Sequence, residues 1–80
     1  MKIDVNIVNR NGTVFAGKAN MVVIPGSEGE LGVMYGHVPM IVRLQEGVIY
    51  TYLLGEVTSS TQIEKGIAKI TGTGVSIISA

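Results

Sequence analysis

The sequence predicts an all-β protein, a small antiparallel β-sandwich of two packed sheets. Valine, isoleucine and threonine, which favour strands, recur along the whole chain. No window sustains the 3.6-residue apolar period of an amphipathic helix. Turn residues, including many of the 11 glycines, interrupt the chain at short intervals. Many short strands separated by turns are typical of sandwiches and barrels.

Length and composition favour one domain over residues 1–80. A chain of 80 residues is long enough for a single modest core. It has no cysteine and one histidine, which excludes a disulfide framework and leaves too few ligands for a metal site. The core therefore depends on the 46% of residues that are hydrophobic.

The charge balance indicates a protein partner rather than nucleic acid or lipid. Six basic residues match six acidic residues, so no basic surplus attracts phosphate or anionic lipid. No apolar run approaches the ~20 residues of a spanning helix, and Asp4 and Asn6 interrupt any apolar leader. We predict a soluble intracellular protein, without direct membrane insertion, whose excess apolar surface faces a partner.

The first half of the chain predicts five strands. Apolar residues at 3, 5 and 7 alternate with polar ones, as in a half-buried strand. Asn11-Gly12 predicts a two-residue hairpin turn. Residues 21–24 are apolar on both faces, and Pro25-Gly26 ends them. The predicted strands of this half are residues 3–7, 13–16, 21–24, 31–34 and 40–44.

The second half predicts four more strands and one loop. A longer strand over 48–54 places Tyr50 and Tyr52 on one face. This spacing resembles a platform on which bases or sugars stack, but basic neighbours are lacking, so we expect the two rings to pack in a core or an interface. Residues 55–61 are small and polar and are predicted as a loop or hairpin tip. A strand begins at Ile63, and residues 67–71 and 75–79 form a final hairpin.

A glycine-rich segment, residues 25–39, carries the most specific pattern: Pro-Gly-Ser-Glu-Gly-Glu-Leu-Gly-Val-Met-Tyr-Gly-His-Val-Pro. It resembles the epsilon subunit family of F-type ATP synthases, which has a Pro-Gly turn, a Glu-Gly-Glu-Leu-Gly-Val loop and then Gly-His-x-Pro. The likeness is strong from Phe15 to Val48. It weakens later, where Lys65-Gly66 and Lys69 replace a Gly-Gly pair and an acidic residue.

The resemblance implies a non-catalytic subunit of the central stalk, part of the rotor of a proton-translocating ATP synthase. Such a subunit couples the c-ring to the gamma subunit during rotary ATP synthesis and needs no cofactor, metal or catalytic residue. It implies a peripheral location on the cytoplasmic face of a bacterial inner membrane, or the matrix or stromal equivalent. The two C-terminal helices common in the family do not occur in these 80 residues, so we expect neither inhibition by helix insertion nor nucleotide binding by that route.

The resemblance also implies two partner-binding groups. The residues expected to face the gamma subunit are His37, Val38, Met40 and, by a looser match, Asn9. The residues expected to form the loop that faces the c-ring are Glu28, Gly29, Glu30 and Gly32.

Two other functions compete with this interpretation. Lipoyl and biotinyl carrier domains are also small and all-β, and Lys65 is the one lysine suited to a modified hairpin tip. A metal-dependent hydrolase would use Glu28, Glu30 and His37, but three residues are few for such a site. The simplest alternative for the two glutamates is a solvated turn.

Overall fold

The computed structural model describes all 80 residues and contains nine strands, which confirms the prediction of an all-β fold. No helix in it has the length and hydrophobicity needed to cross a lipid bilayer. The strands are β1 (Ile3–Asn9), β2 (Gly12–Ala19), β3 (Met21–Gly26), β4 (Gly29–Met34), β5 (Met40–Leu44), β6 (Gly47–Leu53), β7 (Glu56–Ile63), β8 (Gly66–Ile70) and β9 (Gly74–Ser79).

The strands form two layers that are joined at one corner. One layer has the order β2-β1-β9-β8-β5, and the other has β4-β3-β6-β7. A single pair, Gly26 with Leu44, connects β3 to β5 and makes the hydrogen bonding continuous between the layers. Every strand pair is antiparallel except β1 with β9, which run in the same direction. The sandwich prediction is confirmed, with this one parallel pair as the difference.

The core lies between the two layers. Apolar side chains alternate inward along β1 and β9, and β3 and β6 supply the facing residues. Fourteen buried hydrophobic residues form one cluster, so both layers contribute to a single core. The cluster comprises Ile3, Val5, Ile7, Ala19, Val22, Ile24, Val33, Leu44, Ile49, Ile63, Ala68, Ile70, Val75 and Ile77.

The connections between strands fall at two opposite ends of the sandwich, as the strand registers require. We call one the Glu28 end; it carries the turns β1–β2, β3–β4, β5–β6 and β7–β8. We call the other the His37 end; it carries the connections β2–β3, β4–β5, β6–β7 and β8–β9. This division decides which candidate residues lie near one another.

The prediction of a loop or hairpin tip over residues 55–61 is wrong beyond Gly55, because residues 56–61 belong to β7. Ile63, predicted to begin a strand, is instead the last residue of β7. β7 as a whole pairs with β6 from Gly47 to Leu53, with a bulge between Thr51 and Tyr52. β7 is an edge strand, so its polar side chains remain partly exposed while β-branched residues favour the extended backbone. The buried Thr51 hydroxyl lies 2.9 Å from the Thr58 hydroxyl and 2.7 Å from that of Ser59. Small polar residues therefore mark a hydroxyl cluster here rather than a loop.

Two smaller differences concern turns and tyrosines. The first hairpin turns at Arg10-Asn11, and Gly12 already belongs to β2. Tyr50 and Tyr52 do share a face, but it is the outer face of the second layer, where both are half-buried.

Candidate partner-binding surfaces

The β4–β5 loop, residues 35–39, is held in place by backbone hydrogen bonds. Gly36 N–H donates to Gly72 O at 2.7 Å, and His37 N–H donates to Met34 O at 3.1 Å. Gly36 has a φ of 84°, a left-handed conformation that glycine adopts without steric cost. The Gly-His-x-Pro pattern thus fixes a tight turn at the His37 end.

The surface formed by this loop and its flanking strand ends is apolar. The His37 ring is half-buried, and its Nδ1 donates to Val38 O at 2.8 Å, which fixes the ring beside the backbone. Val38 is 70% exposed and Met40 is 40% exposed. No residue from 34 to 40 carries a formal charge at pH 7 with histidine neutral. We call residues 34–40 the His37 surface; its exposed apolar side chains suit contact with a protein partner.

The β3–β4 hairpin tip lies at the opposite end and has a tightly constrained backbone. Its turn residues are Ser27 and Glu28, followed by Gly29 with a φ of 129°. A Cβ on Gly26 would lie 2.7 Å from the Gly29 carbonyl oxygen, so only glycine fits. Ser27 N–H also donates to Arg43 O at 2.9 Å, which ties the tip to β5.

The four residues expected to face the c-ring are all exposed on this hairpin. Glu28 lies in the turn, and Gly29, Glu30 and Gly32 lie on β4. The tip thus presents two carboxylates on a rigid backbone. This arrangement suits polar contacts that fix the orientation of a partner.

The structure brings part of the two predicted groups together. A groove of about 360 Å³ separates the β3–β4 tip from β5. Met40 lines it on one side, and Glu28, Gly29 and Glu30 line it on the other. The two surfaces therefore border each other along β5, although their loops lie at opposite ends.

Asn9 lies apart from the other residues predicted to face the gamma subunit. It is the last residue of β1, next to the β1–β2 turn at the Glu28 end, whereas His37 and Val38 lie at the other end. Its Oδ1 accepts a hydrogen bond of 2.8 Å from Asn11 N–H, so its side chain stabilises the turn. The fold does not bring Asn9 together with His37.

The two competing functions, a metal-dependent hydrolase and a lipoyl or biotinyl carrier, require different residues. No group of three or more histidine, cysteine, aspartate or glutamate residues is close enough to hold a metal ion. Lys65 does lie in the β7–β8 turn, where its carbonyl accepts from Ala80 N–H at 2.9 Å. Its position matches a hairpin tip but says nothing about modification.

Sequence analysis missed several exposed apolar residues. Met34 and Tyr35 are exposed members of the His37 surface, and Leu54 lies in the β6–β7 turn. The missed signal at Leu54 was the dipeptide Leu-Gly where Asn-Gly would favour a two-residue turn. This dipeptide was not recognised as a turn, because the following residues are predicted as a loop.

Comparison with known protein families identifies the relatives of this chain. Residues 2–80 match the family described as ATP synthase, Delta/Epsilon chain, beta-sandwich domain. The chain belongs to this family. The match includes the glycine-rich segment and β7 to β9, where the sequence pattern was weaker.

Curated relatives give the same result. The chain is 48% identical over 65 residues to an ATP synthase epsilon chain of Granulibacter bethesdensis, which covers 81% of this chain and 48% of that one. It is 34% identical over 77 residues to the epsilon chain of Parvibaculum lavamentivorans, covering 96% of this chain and 58% of that one. The chain thus spans about half the length of these curated relatives.

Solved structures confirm the fold. A chain of the Euglena gracilis mitochondrial ATP synthase, in an OSCP/F1/c-ring structure, aligns with a TM-score of 0.87 over 98% of this chain and 50% of that one, at 21% identity. A chain of the Tetrahymena thermophila mitochondrial ATP synthase, in a structure of the central stalk and c-ring, aligns with a TM-score of 0.77 over 99% of this chain and 63% of that one, at 12% identity. At these identities the likeness concerns the fold.

Proposed function

We propose that this chain is one domain that acts as a non-catalytic part of the central stalk of an F-type ATP synthase. In this role it joins the gamma subunit to the c-ring and transmits rotation, while proton flow drives ATP synthesis elsewhere in the complex. The observation that carries the proposal is the family match over residues 2–80. Its location is then peripheral, at the cytoplasmic face of a bacterial inner membrane or the matrix or stromal equivalent.

The His37 surface is the proposed contact with gamma. A junction that transmits torque needs an apolar contact, because single exposed ion pairs contribute only about 0–1 kcal/mol. Val38 and Met40 supply exposed apolar area, and the hydrogen-bonded turn at Gly36 holds them in position. Asn9 belongs to this contact only if gamma also extends along the sandwich to the Glu28 end.

The β3–β4 tip is the proposed contact with the polar loops of the c-ring. Glu28 and Glu30 offer carboxylates, and Gly29 and Gly32 let another backbone approach closely. Because the tip is tied to β5, a force applied to it is passed to the sheet rather than absorbed by a mobile loop.

Binding to purified gamma subunit of the same complex tests the first contact. We expect Val38→Asp and His37→Asp to weaken binding at least about tenfold, because each places a charge in an apolar interface. Val14→Asp is the matched control, since Val14 is an exposed apolar residue on β2 near the other end.

All three variants are expected to stay folded, because Val38 and Val14 are exposed and His37 is half-buried. Circular dichroism checks this before binding is measured. Wild-type affinity in Val38→Asp and His37→Asp would refute the gamma assignment of the His37 surface.

A further inference from the structure

The β6–β7 turn contains an exposed leucine in an unfavourable backbone conformation. Leu54 has a φ of 54° and Gly55 a φ of 81°, as in a type I′ turn. Leu54 is the one non-glycine residue of the chain with positive φ, and its side chain is 84% exposed. Left-handed backbone is costly for leucine, and asparagine or glycine would fit this position with less strain.

The folded chain itself gains nothing from this leucine. An 84% exposed side chain contributes almost no burial, so packing does not offset the backbone strain. Residues held in strained backbone conformations by the surrounding structure cluster at functional sites. Leu54 is therefore best explained by an interaction outside the chain.

The turn is also held rigid. Leu54 N–H donates to the Asn20 side-chain oxygen at 2.7 Å, and Asn20 N–H donates to Tyr52 O at 2.7 Å. Asn20 thus links the β2–β3 connection to the end of β6 and fixes the direction of Leu54. A pre-positioned apolar side chain loses little conformational entropy when it binds.

The surroundings of Leu54 are apolar too. Beside it, the outer face of the second layer carries an apolar row that crosses four paired strands. The row comprises Met34, Met21, Tyr52 and Val57. Its outermost members, Met34 and Val57, are 57% and 51% exposed. Since Met34 also belongs to the His37 surface, the row connects Leu54 to that surface.

We propose that Leu54 is an anchor residue that inserts into an apolar pocket of the gamma subunit. This rests on the proposed function, because gamma is the partner assigned to the His37 surface. Leu54 lies at the His37 end, and the exposed row joins the two regions. The charged tip assigned to the c-ring lies at the opposite end. Asn20 is a positioning residue for this anchor.

The test separates stability from binding by replacing Leu54 with asparagine or methionine. Leu54→Asn relieves the strain and removes the apolar side chain, so we expect a higher melting temperature together with about ten- to hundredfold weaker binding to purified gamma. Leu54→Met retains an apolar side chain of similar size and is expected to bind within about threefold of wild type. Asn20→Ala, which removes the acceptor for Leu54 N–H, is expected to weaken binding less than Leu54→Asn.

The outcomes distinguish the inference from the function it rests on. If wild type fails to bind gamma, the proposed function fails and the inference falls with it. If wild type binds gamma and Leu54→Asn binds equally well, the inference alone is overturned. If wild type dimerises and Leu54→Asn abolishes the dimer without affecting gamma, a second copy is the occupant and the gamma assignment is likewise overturned.

Discussion

The β3–β4 and β6–β7 hairpins both turn over two residues, yet they follow opposite rules. In the β3–β4 hairpin, Gly26 and Gly29 occupy the positions where a side chain would collide or would require strained backbone. In the β6–β7 hairpin, Leu54 occupies a left-handed position that suits glycine or asparagine. The residues of the β3–β4 tip thus suit its backbone conformation, whereas Leu54 does not suit the backbone conformation of the β6–β7 tip.

Under the proposed function, the difference corresponds to two ways in which a hairpin tip serves a partner. At the β3–β4 tip, glycines produce the shape, and the exposed glutamates of the turn and the following strand supply the chemistry. At the β6–β7 tip, the backbone accepts strain so that an apolar side chain points outward. Function is easier to predict at the first kind of tip, because its glycines and acids are visible in sequence.

The largest expected effect is at the β3–β4 tip. Gly26→Ala places a Cβ 2.7 Å from the Gly29 carbonyl oxygen, and the segment around Gly26 cannot move away without disturbing the hydrogen bond from Ser27 N–H to Arg43 O. We expect the free energy of unfolding to fall by about 3 kcal/mol, as for overpacking in a closed space. Urea denaturation measures it.

Gly32→Ala is the matched control for that change. Its Cβ would meet Met21 Sδ at 3.6 Å, an ordinary van der Waals distance, and its φ is not positive. We expect a change within about 0.5 kcal/mol. Equal destabilisation by Gly26→Ala and Gly32→Ala would show that crowding does not shape the β3–β4 tip.

A smaller effect is expected within the β6–β7 hairpin, on the two strands that lead to its tip. Thr51→Val removes the buried hydroxyl that bonds to Thr58 and Ser59 beside the bulge. Because the two partner hydroxyls are accessible enough to bond water, the loss is about 1 kcal/mol of unfolding free energy. Ser60→Ala, on the exposed side of β7, is the control and should change little. No loss in Thr51→Val would mean that the hydroxyl cluster does not stabilise this hairpin.

Much of the fold was predictable from sequence. Alternation placed Ile3, Val5 and Ile7 in the core, but the strand predicted to stop at Pro25-Gly26 continues through both residues, because they pair with β4. β7 was not predictable by the same reasoning, because its threonines and serines resemble a loop until β6 provides a partner for them. Tertiary pairing, rather than local pattern, decided that strand.

The candidate surfaces were predictable only in part. The family resemblance carried by residues 25–39 pointed to His37 and to Glu28 and Glu30, two glutamates that are exposed on the β3–β4 hairpin. It could not show that Asn9 lies at the end opposite His37, since that separation follows from strand order. It also could not reveal Leu54, whose interest depends on a backbone angle and on exposure.

Cross-linking in assembled ATP synthase tests the central claim most directly. These 80 residues contain no cysteine, so a single introduced cysteine is the one thiol that they present. Val38→Cys and Glu28→Cys are each introduced alone and labelled with a short cross-linker that has one thiol-specific and one photoactivated group. The subunit joined after illumination is identified by mass spectrometry. We predict that Val38→Cys links to gamma and Glu28→Cys to a c subunit. A link from Val38→Cys to the c-ring, or from Glu28→Cys to gamma, would contradict the assignment of the two ends.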